Sequence, residues 1–280
     1  MKIATAAGHG GRDSGAVGNG YLEKDLNLNV TLQLNEYLQS AGHTVMTYRT
    51  TDTDYGLTAD QRTNAVAAWS NQQNADFFID IHFNAGGGTG PECYYSIKET
   101  QSSTGYLCAK AIAKAIASLG FRNRGAKTKK SQVGDWDYFG VIRETNADAN
   151  LCECLFIDSA EDMAKMDTEA IAYAIATAMC SVLGGKVESL PSTPANPSEP
   201  AGEIKSGSKV DFMDDGKIYT STDATEGKTP YYKTELTVGK IYAGAKNPYE
   251  LTMGGGIVGY ANNSQVRLSG GNSTNPSKPA

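Results

Sequence analysis

The sequence has no run of apolar residues long enough to cross a membrane, since none approaches the roughly 18 residues that a spanning helix needs. Its first residues lead into a glycine-rich polar segment without a long apolar stretch, so we expect no signal peptide and no membrane insertion. The formal net charge of −6 leaves little basic surface to neutralise phosphates. This argues against nucleic acid as the main partner of the 280-residue chain.

Cysteine and histidine are both scarce. The five cysteines are odd in number, and Cys152-x-Cys154 has neither zinc-ribbon nor redox spacing. We therefore expect free, mostly buried thiols from a reducing compartment rather than a disulfide scaffold. Because the chain has only three histidines, the position of each one is informative.

Apolar patterning over residues 1–185 predicts strands that alternate with helices. Strands are expected at residues 2–7, 43–49, 76–84, 92–97, 141–143 and 151–157, and helices at residues 25–40, 57–74, 103–119 and 162–183. Residues 25–40 also show the alternation of a strand, but the length of the segment and the Ala41-Gly42 stop favour a helix. The order of elements predicts an α/β domain with a single, mainly parallel twisted sheet and flanking helices.

The composition changes after residue 185. Residues 186–202 contain four prolines among Ser, Thr, Asn and Glu, which is typical of a linker that cannot bury a core. Residues 203–270 consist of short apolar runs separated by glycine or acidic turns, and they predict a small all-β barrel. Residues 271–280 return to Gly, Ser, Asn and Pro, the composition of a tail or a further linker.

Two of the three histidines follow or end predicted strands. His9 lies in the glycine-dense segment 8–18 after the first strand, and His82 lies at the end of the apolar segment 76–84. Glu23 stands at the predicted start of a helix. Carboxyl ends of parallel strands are where open α/β sheets place ligands, and two histidines with one carboxylate suit a hydrolytic zinc ion. Taken singly, each has another explanation: a flexible loop, a helix-start carboxylate and a core histidine.

Glu153 is a carboxylate inside the apolar strand predicted at residues 151–157. A buried charge without a partner is costly, so it requires a counter-charge or a functional reason. One explanation is that Glu153 accepts a proton from a zinc-activated water molecule. The other is a structural ion pair with Arg143 or another base.

The combination of these motifs resembles the zinc-dependent N-acetylmuramoyl-L-alanine amidases of the type-3 family, which occur in bacterial autolysins and phage endolysins. The residues that carry the resemblance are the glycine-histidine segment 8–16, Glu23-Lys24, Leu57, Arg62, Asn64, the strand end 80–84, and Glu153 with Phe156-Ile157. The resemblance covers about residues 1–184. Ala6-Ala7, Asp80 and Asp158-Ser159 depart from the usual residues of the family, which at Asp80 is frequently serine.

The resemblance implies zinc on His9, Glu23 and His82, with Glu153 as the catalytic carboxylate. It implies hydrolysis of the bond between N-acetylmuramic acid and L-alanine in bacterial peptidoglycan. We expect Arg143, Asn84 and Lys127 to contact substrate. Alternatives are another zinc peptidoglycan hydrolase, such as a carboxypeptidase, or a non-catalytic wall-binding protein. As a phage endolysin, the chain is expected to be made in the host cytoplasm and to act at the cell wall after release.

Two further features remain open. Five basic residues precede Trp136: Arg122, Arg124, Lys127, Lys129 and Lys130. They form either a solvated loop or a surface that steers the acidic stem peptides of the substrate towards the site. The run at residues 240–249 is similar to bacterial SH3-type wall-binding domains, and exposed tyrosines there would suit sugar and peptide contacts. A tethered binding domain would concentrate the catalytic domain at the wall.

Overall fold

The structure is a computed structural model that describes residues 1–187, 204–212, 217–225, 227–228, 236–242, 245–253, 256–262 and 266–268. The chain divides into two compact units, Met1–Leu190 and Pro191–Ala280. Almost all of the predicted linker 186–202 and the whole of the predicted tail 271–280 lie outside the described residues, so the proposed domain boundaries stay predictions.

The first unit is built on a six-stranded sheet flanked by helices. Its elements are β1 (Lys2–Ala7), β2 (Val17–Gly18), β3 (Tyr21–Leu22), α1 (Glu23–Ser40), β4 (Thr44–Thr47), α2 (Ala59–Gln73), β5 (Phe77–Asn84), β6 (Glu92–Tyr94), α3 (Thr104–Ala117), β7 (Gly125–Lys127), α4 (Gly140–Glu144), β8 (Asp148–Phe156), α5 (Ala160–Ala164) and α6 (Thr168–Leu183). The sheet order is β4-β1-β5-β8-β6-β7, and β2 pairs with β3 in a separate two-stranded sheet. The pairs within β4-β1-β5-β8 are parallel, whereas β6 runs antiparallel to β8. The expected mainly parallel α/β fold is therefore confirmed.

Helix α1 explains why its sequence fits two patterns. Leu26, Val30, Leu34 and Leu38 are fully buried at helical spacing, as expected for the face that packs on the sheet. The helix also contacts α6, so Leu28 is buried on another side. Burial on more than one side produces the apparent strand alternation, and the helix prediction is correct.

Several predicted elements differ from the structure, and strand β8 begins at Asp148, three residues before its predicted start. Residues 141–143 were expected to form a strand but belong to the short helix α4, which packs against α2. The β-branched Val141 and Ile142 favour a strand locally, but both are buried in the core between α4, α2 and the sheet. The helix predicted at residues 162–183 is two helices, because Asp167 caps a new start with its side chain. Strand β6 ends at Tyr94, three residues before the predicted end.

The second unit contains an antiparallel sheet of order β12-β11-β10-β9-β13. Its strands are β9 (Lys209–Phe212), β10 (Leu236–Ile241), β11 (Tyr249–Met253), β12 (Gly256–Ala261) and β13 (Val266–Leu268). Val210, Leu236, Val238 and Leu251 form the centre of its core. A small all-β unit is confirmed, and its likeness to SH3-type domains stays a prediction.

Two expectations about composition can be compared directly with the structure. All five cysteines are free and buried, as expected. Among the described residues, no helix combines the length and the apolar character that crossing a membrane requires.

Candidate metal centre

Three elements bring His9, Glu23 and His82 together at the carboxyl edge of the parallel strands. His9 follows β1, Glu23 is the first residue of α1, and His82 lies near the end of β5, which pairs with β1. Oε1 of Glu23 is 2.9 Å from Nδ1 of His82 and 3.2 Å from Nε2 of His9. One potential ligand atom from each residue lies within 4.8 Å of the other two. The three residues that the sequence nominates as ligands therefore converge.

Glycines allow this close approach. A Cβ atom at Gly8 would overlap the ring of His82, and one at Gly15 would collide with both His9 and Glu23. His9 itself adopts a left-handed backbone conformation with φ of 62°, which is uncommon for a residue with a side chain. The glycine-dense segment is thus required by the packing of the donor groups around one point.

Glu23 is held as a carboxylate. Besides the two imidazoles, it accepts hydrogen bonds from the backbone N–H groups of Ala16 and Phe83, at 2.8 and 3.2 Å. Burial raises the pKa of Glu23, but the hydrogen bonds from His82 and His9 lower it more, and the net pKa falls well below the usual range. Glu23 is therefore ionised at neutral pH, the form that binds a metal.

The second nitrogen of each imidazole faces another carboxylate. Nδ1 of His9 is 2.9 Å from Asp13, and Nε2 of His82 is 3.3 Å from Asp80. Burial lowers the pKa of His82, but Asp80 and Glu23 raise it well above its usual value. Carboxylates behind the imidazoles are a common feature of metal sites, and a His-Glu-His donor set suits zinc. The residues present therefore fit a zinc ion.

Glu153 lies on β8 and is the register partner of His82 on β5. Its Oε2 atom is buried and has no hydrogen-bond partner among the described residues. Burial, with smaller contributions from the charges of Glu23 and Glu92, raises the pKa of Glu153 to about 8. The alternative pairing with Arg143 is not formed: the guanidinium donates to Glu144 and to the carbonyl of Asp137.

Comparisons with known proteins identify the family of the chain. Residues 3–184 match the N-acetylmuramoyl-L-alanine amidase family. The chain belongs to this family.

Individual relatives extend the comparison. The amidase CwlM of Bacillus licheniformis is 38% identical over 180 residues, which are 63% of this chain and 64% of that protein. An endolysin of Bacillus phage SPP1 is 33% identical over 204 residues, 70% of either chain. The catalytic domain of CwlV, an amidase of Bacillus (Paenibacillus) polymyxa, is 30% identical with a TM-score of 0.54; the match covers 66% of this chain and 99% of that domain. The chain thus spans a little under two thirds of the length of the Bacillus licheniformis relative.

Two of the three predicted substrate contacts meet at Glu92 on β6. Oε1 of Glu92 accepts from the Asn84 amide at 2.9 Å, and Oε2 forms ion pairs with Lys127 and Arg124, both at 2.5 Å. Burial raises the pKa of Glu92, but the hydrogen bonds from Lys127, Arg124 and Tyr94 lower it more. Glu92 is the register partner of Glu153, so its ionised carboxylate belongs to the neighbourhood of the site.

The third predicted substrate contact, Arg143, lies in a different place. It lines a cavity of about 560 Å³ between the start of α2 and the segment leading into α4. The other lining residues are Asp60, Thr63, Asn64, Tyr138, Phe139 and Gly140. Of the remaining basic residues, Lys130 pairs with Asp135, and Lys129 lies 3.9 Å from the centre of the Tyr138 ring. The role of these residues in steering stays a prediction.

Two residues near the centre were not singled out from the sequence. Arg49 is buried and donates to the carbonyls of Ala7, Gly8 and Lys24, so it ties the His9 loop to the start of α1. Its position as the last residue of the strand predicted at residues 43–49 was the available signal. Glu92 had no such signal, because a glutamate at a strand start is usually solvated.

Proposed function

We propose that the chain is a zinc-dependent peptidoglycan hydrolase that cleaves the amide bond between N-acetylmuramic acid and L-alanine. The observation that carries the proposal is the convergence of His9, Glu23 and His82 next to Glu153, in a chain of the N-acetylmuramoyl-L-alanine amidase family. Three protein ligands leave one coordination position open, as in catalytic rather than structural zinc sites.

A zinc ion at this centre supplies Lewis acidity, which polarises the scissile carbonyl and makes water more acidic. Glu153 accepts the proton of the attacking water molecule and returns it to the nitrogen of the departing L-alanine. Its raised pKa suits the second step, because burial makes this carboxyl group hold a proton more strongly than an exposed glutamate does. The charge of a bound divalent ion acts in the opposite direction and favours the carboxylate needed for the first step.

The remaining residues orient the polymer in this proposal. Asn84 and Lys127 contact substrate next to Glu153, where Glu92 holds them, and Arg143 contacts it from the cavity between α2 and α4. The second unit binds the wall and raises the local concentration of the first unit there. The similarity to a phage endolysin supports synthesis in a host cytoplasm and action at the bacterial wall after release.

Digestion of purified peptidoglycan tests the proposal. The zinc-loaded chain is expected to free the amine of L-alanine without creating new reducing ends, and metal analysis is expected to give one zinc ion per chain. A carboxypeptidase would leave the lactyl amide intact, and a wall-binding protein without activity would release nothing. Either of these outcomes contradicts the proposed reaction.

A further inference from the structure

Asp80 is a buried carboxylate on the same strand as His82. The two residues are separated by one position on β5, so their side chains leave the same face of the sheet. Asp80 is only 1% exposed, and neither of its carboxylate oxygens has a hydrogen-bond partner in the described part of the chain. Burial of an unpartnered carboxylate is costly, so its presence calls for a specific role.

The nearest cationic group explains the position of this carboxylate. Oδ2 of Asp80 is 3.3 Å from Nε2 of His82, an ion-pair distance. On the other side of the ring, Nδ1 of His82 is 2.9 Å from Glu23. The imidazole therefore lies between two carboxylates, one of which belongs to the proposed ligand set while the other does not.

We propose that Asp80 is a positioning residue that fixes the ring of His82 for the metal. Its carboxylate faces Nε2 of His82 at ion-pair distance, so it favours a proton on Nε2 and would leave the lone pair of Nδ1 free for a zinc ion. The arrangement at His9 is parallel, since Asp13 faces its Nδ1 and leaves Nε2 towards Glu23. This inference rests on the zinc site in the proposed function.

Asp80→Asn tests the proposal, because it removes the charge with almost no change in size. The zinc dissociation constant, measured on the full chain by competition with a chromophoric chelator, is expected to rise 10- to 100-fold. Asp80→Ser, which shortens the side chain, is expected to weaken zinc binding in the same direction. In the ¹⁵N NMR spectrum of the zinc-loaded protein, the proton on Nε2 of His82 is expected to exchange with solvent faster in Asp80→Asn than in wild type.

Asp137→Asn is the matched control. Asp137 is also a buried carboxylate, but it accepts from the Ser96 hydroxyl and the Ile97 N–H and contacts no imidazole. Its replacement is expected to lower the melting temperature while leaving zinc affinity unchanged. A purely structural role for Asp80 would give the same pattern in both variants.

The outcomes separate this inference from the function on which it rests. If the wild-type chain binds one zinc ion and Asp80→Asn and Asp80→Ser bind it within twofold of the same affinity, the role of Asp80 is wrong and the zinc site stands. If the wild-type chain binds no zinc, the proposed zinc centre fails, and the role of Asp80 fails with it.

Discussion

Glu23 and Glu153 lie at the same edge of one sheet and burial acts on both carboxyl groups, yet they differ in the hydrogen bonds that these carboxylates accept. Glu23 accepts hydrogen bonds from two imidazoles and two backbone N–H groups, and its pKa is lowered. Glu153 has a buried oxygen without a partner, and its pKa is raised to about 8. Carboxylates whose environments push their pKa values apart are suited to different tasks. Here one suits a permanently ionised ligand, and the other suits a group that gains and loses a proton.

The largest effect is expected when the ionised member of this pair is removed. Glu23→Ala deletes the carboxylate between His9 and His82 and should abolish zinc binding, since two imidazoles alone hold the ion weakly. Metal analysis and wall digestion should both fall to background. Glu36→Ala is the control, because Glu36 is an exposed glutamate on the same helix, and it should keep full zinc content. Normal zinc content in Glu23→Ala would exclude Glu23 as a ligand.

Removing the other carboxylate should separate binding from chemistry. Glu153→Gln is expected to keep one zinc ion per chain while turnover on purified peptidoglycan falls by about 10²–10⁴-fold, the usual contribution of general acid–base help. Turnover and zinc content are measured on the same preparation. If the variant digests the wall at a near-normal rate, Glu153 has no part in the proton transfers.

The convergence of the two histidines and the unusual position of Glu153 could be predicted from the sequence, because both follow from the order of the strands. Ends of parallel strands meet at one edge, so His9 and His82 could be expected to converge once the strands were recognised. The apolar surroundings of Glu153 likewise indicated a carboxylate that requires a reason. These inferences need only the order of elements and local burial.

The rest of the site could not be predicted, because it depends on contacts between elements that are distant in the sequence. Glu92 lies next to Glu153 because β6 runs antiparallel to β8, whereas alternating strands and helices predict parallel neighbours. Residues 141–143 have the composition of a strand, but packing against α2 and the sheet makes them helical in α4. Tertiary contacts decided both cases.

A smaller effect is expected from a substitution that displaces the proposed metal ligand His82 without removing any of the three ligands. In Gly8→Ala the new Cβ would overlap the His82 ring, so the ring must leave its present position beside Glu23. We expect zinc affinity to fall by about tenfold or more, because loss of ligand orientation typically costs 10- to 100-fold. Gly42→Ala is the control: its φ is 88° and nothing lies near the added atom, so it should lose stability but retain zinc affinity. Equal zinc affinity in wild type and Gly8→Ala would contradict the tight packing at Gly8.

The smallest expected effect concerns the metal-free protein, in which the two carboxylates should change stability with pH in opposite directions. The pKa of Glu153 is raised from 4.5 to about 8, so the folded state holds a proton that the unfolded chain releases between these values. The resulting cost is absent below pH 4.5, grows as the pH rises and is complete above pH 8. Glu153→Gln should therefore be more stable than wild type by about 1–3 kcal/mol at pH 8 and equal to it near pH 4.

Glu23 should show the reverse dependence. Its lowered pKa means that it stabilises the fold above the unfolded value of 4.5, and this contribution is lost as the pH falls. Glu23→Gln should therefore be less stable than wild type at neutral pH, with the difference shrinking in acid. Urea unfolding of both variants in chelator at pH 4, 6 and 8 measures the two slopes. If the stability difference from wild type changed with pH in the same direction for both variants, the pKa values of Glu23 and Glu153 would not be shifted in opposite directions. The division into a metal ligand and a proton carrier would then be wrong.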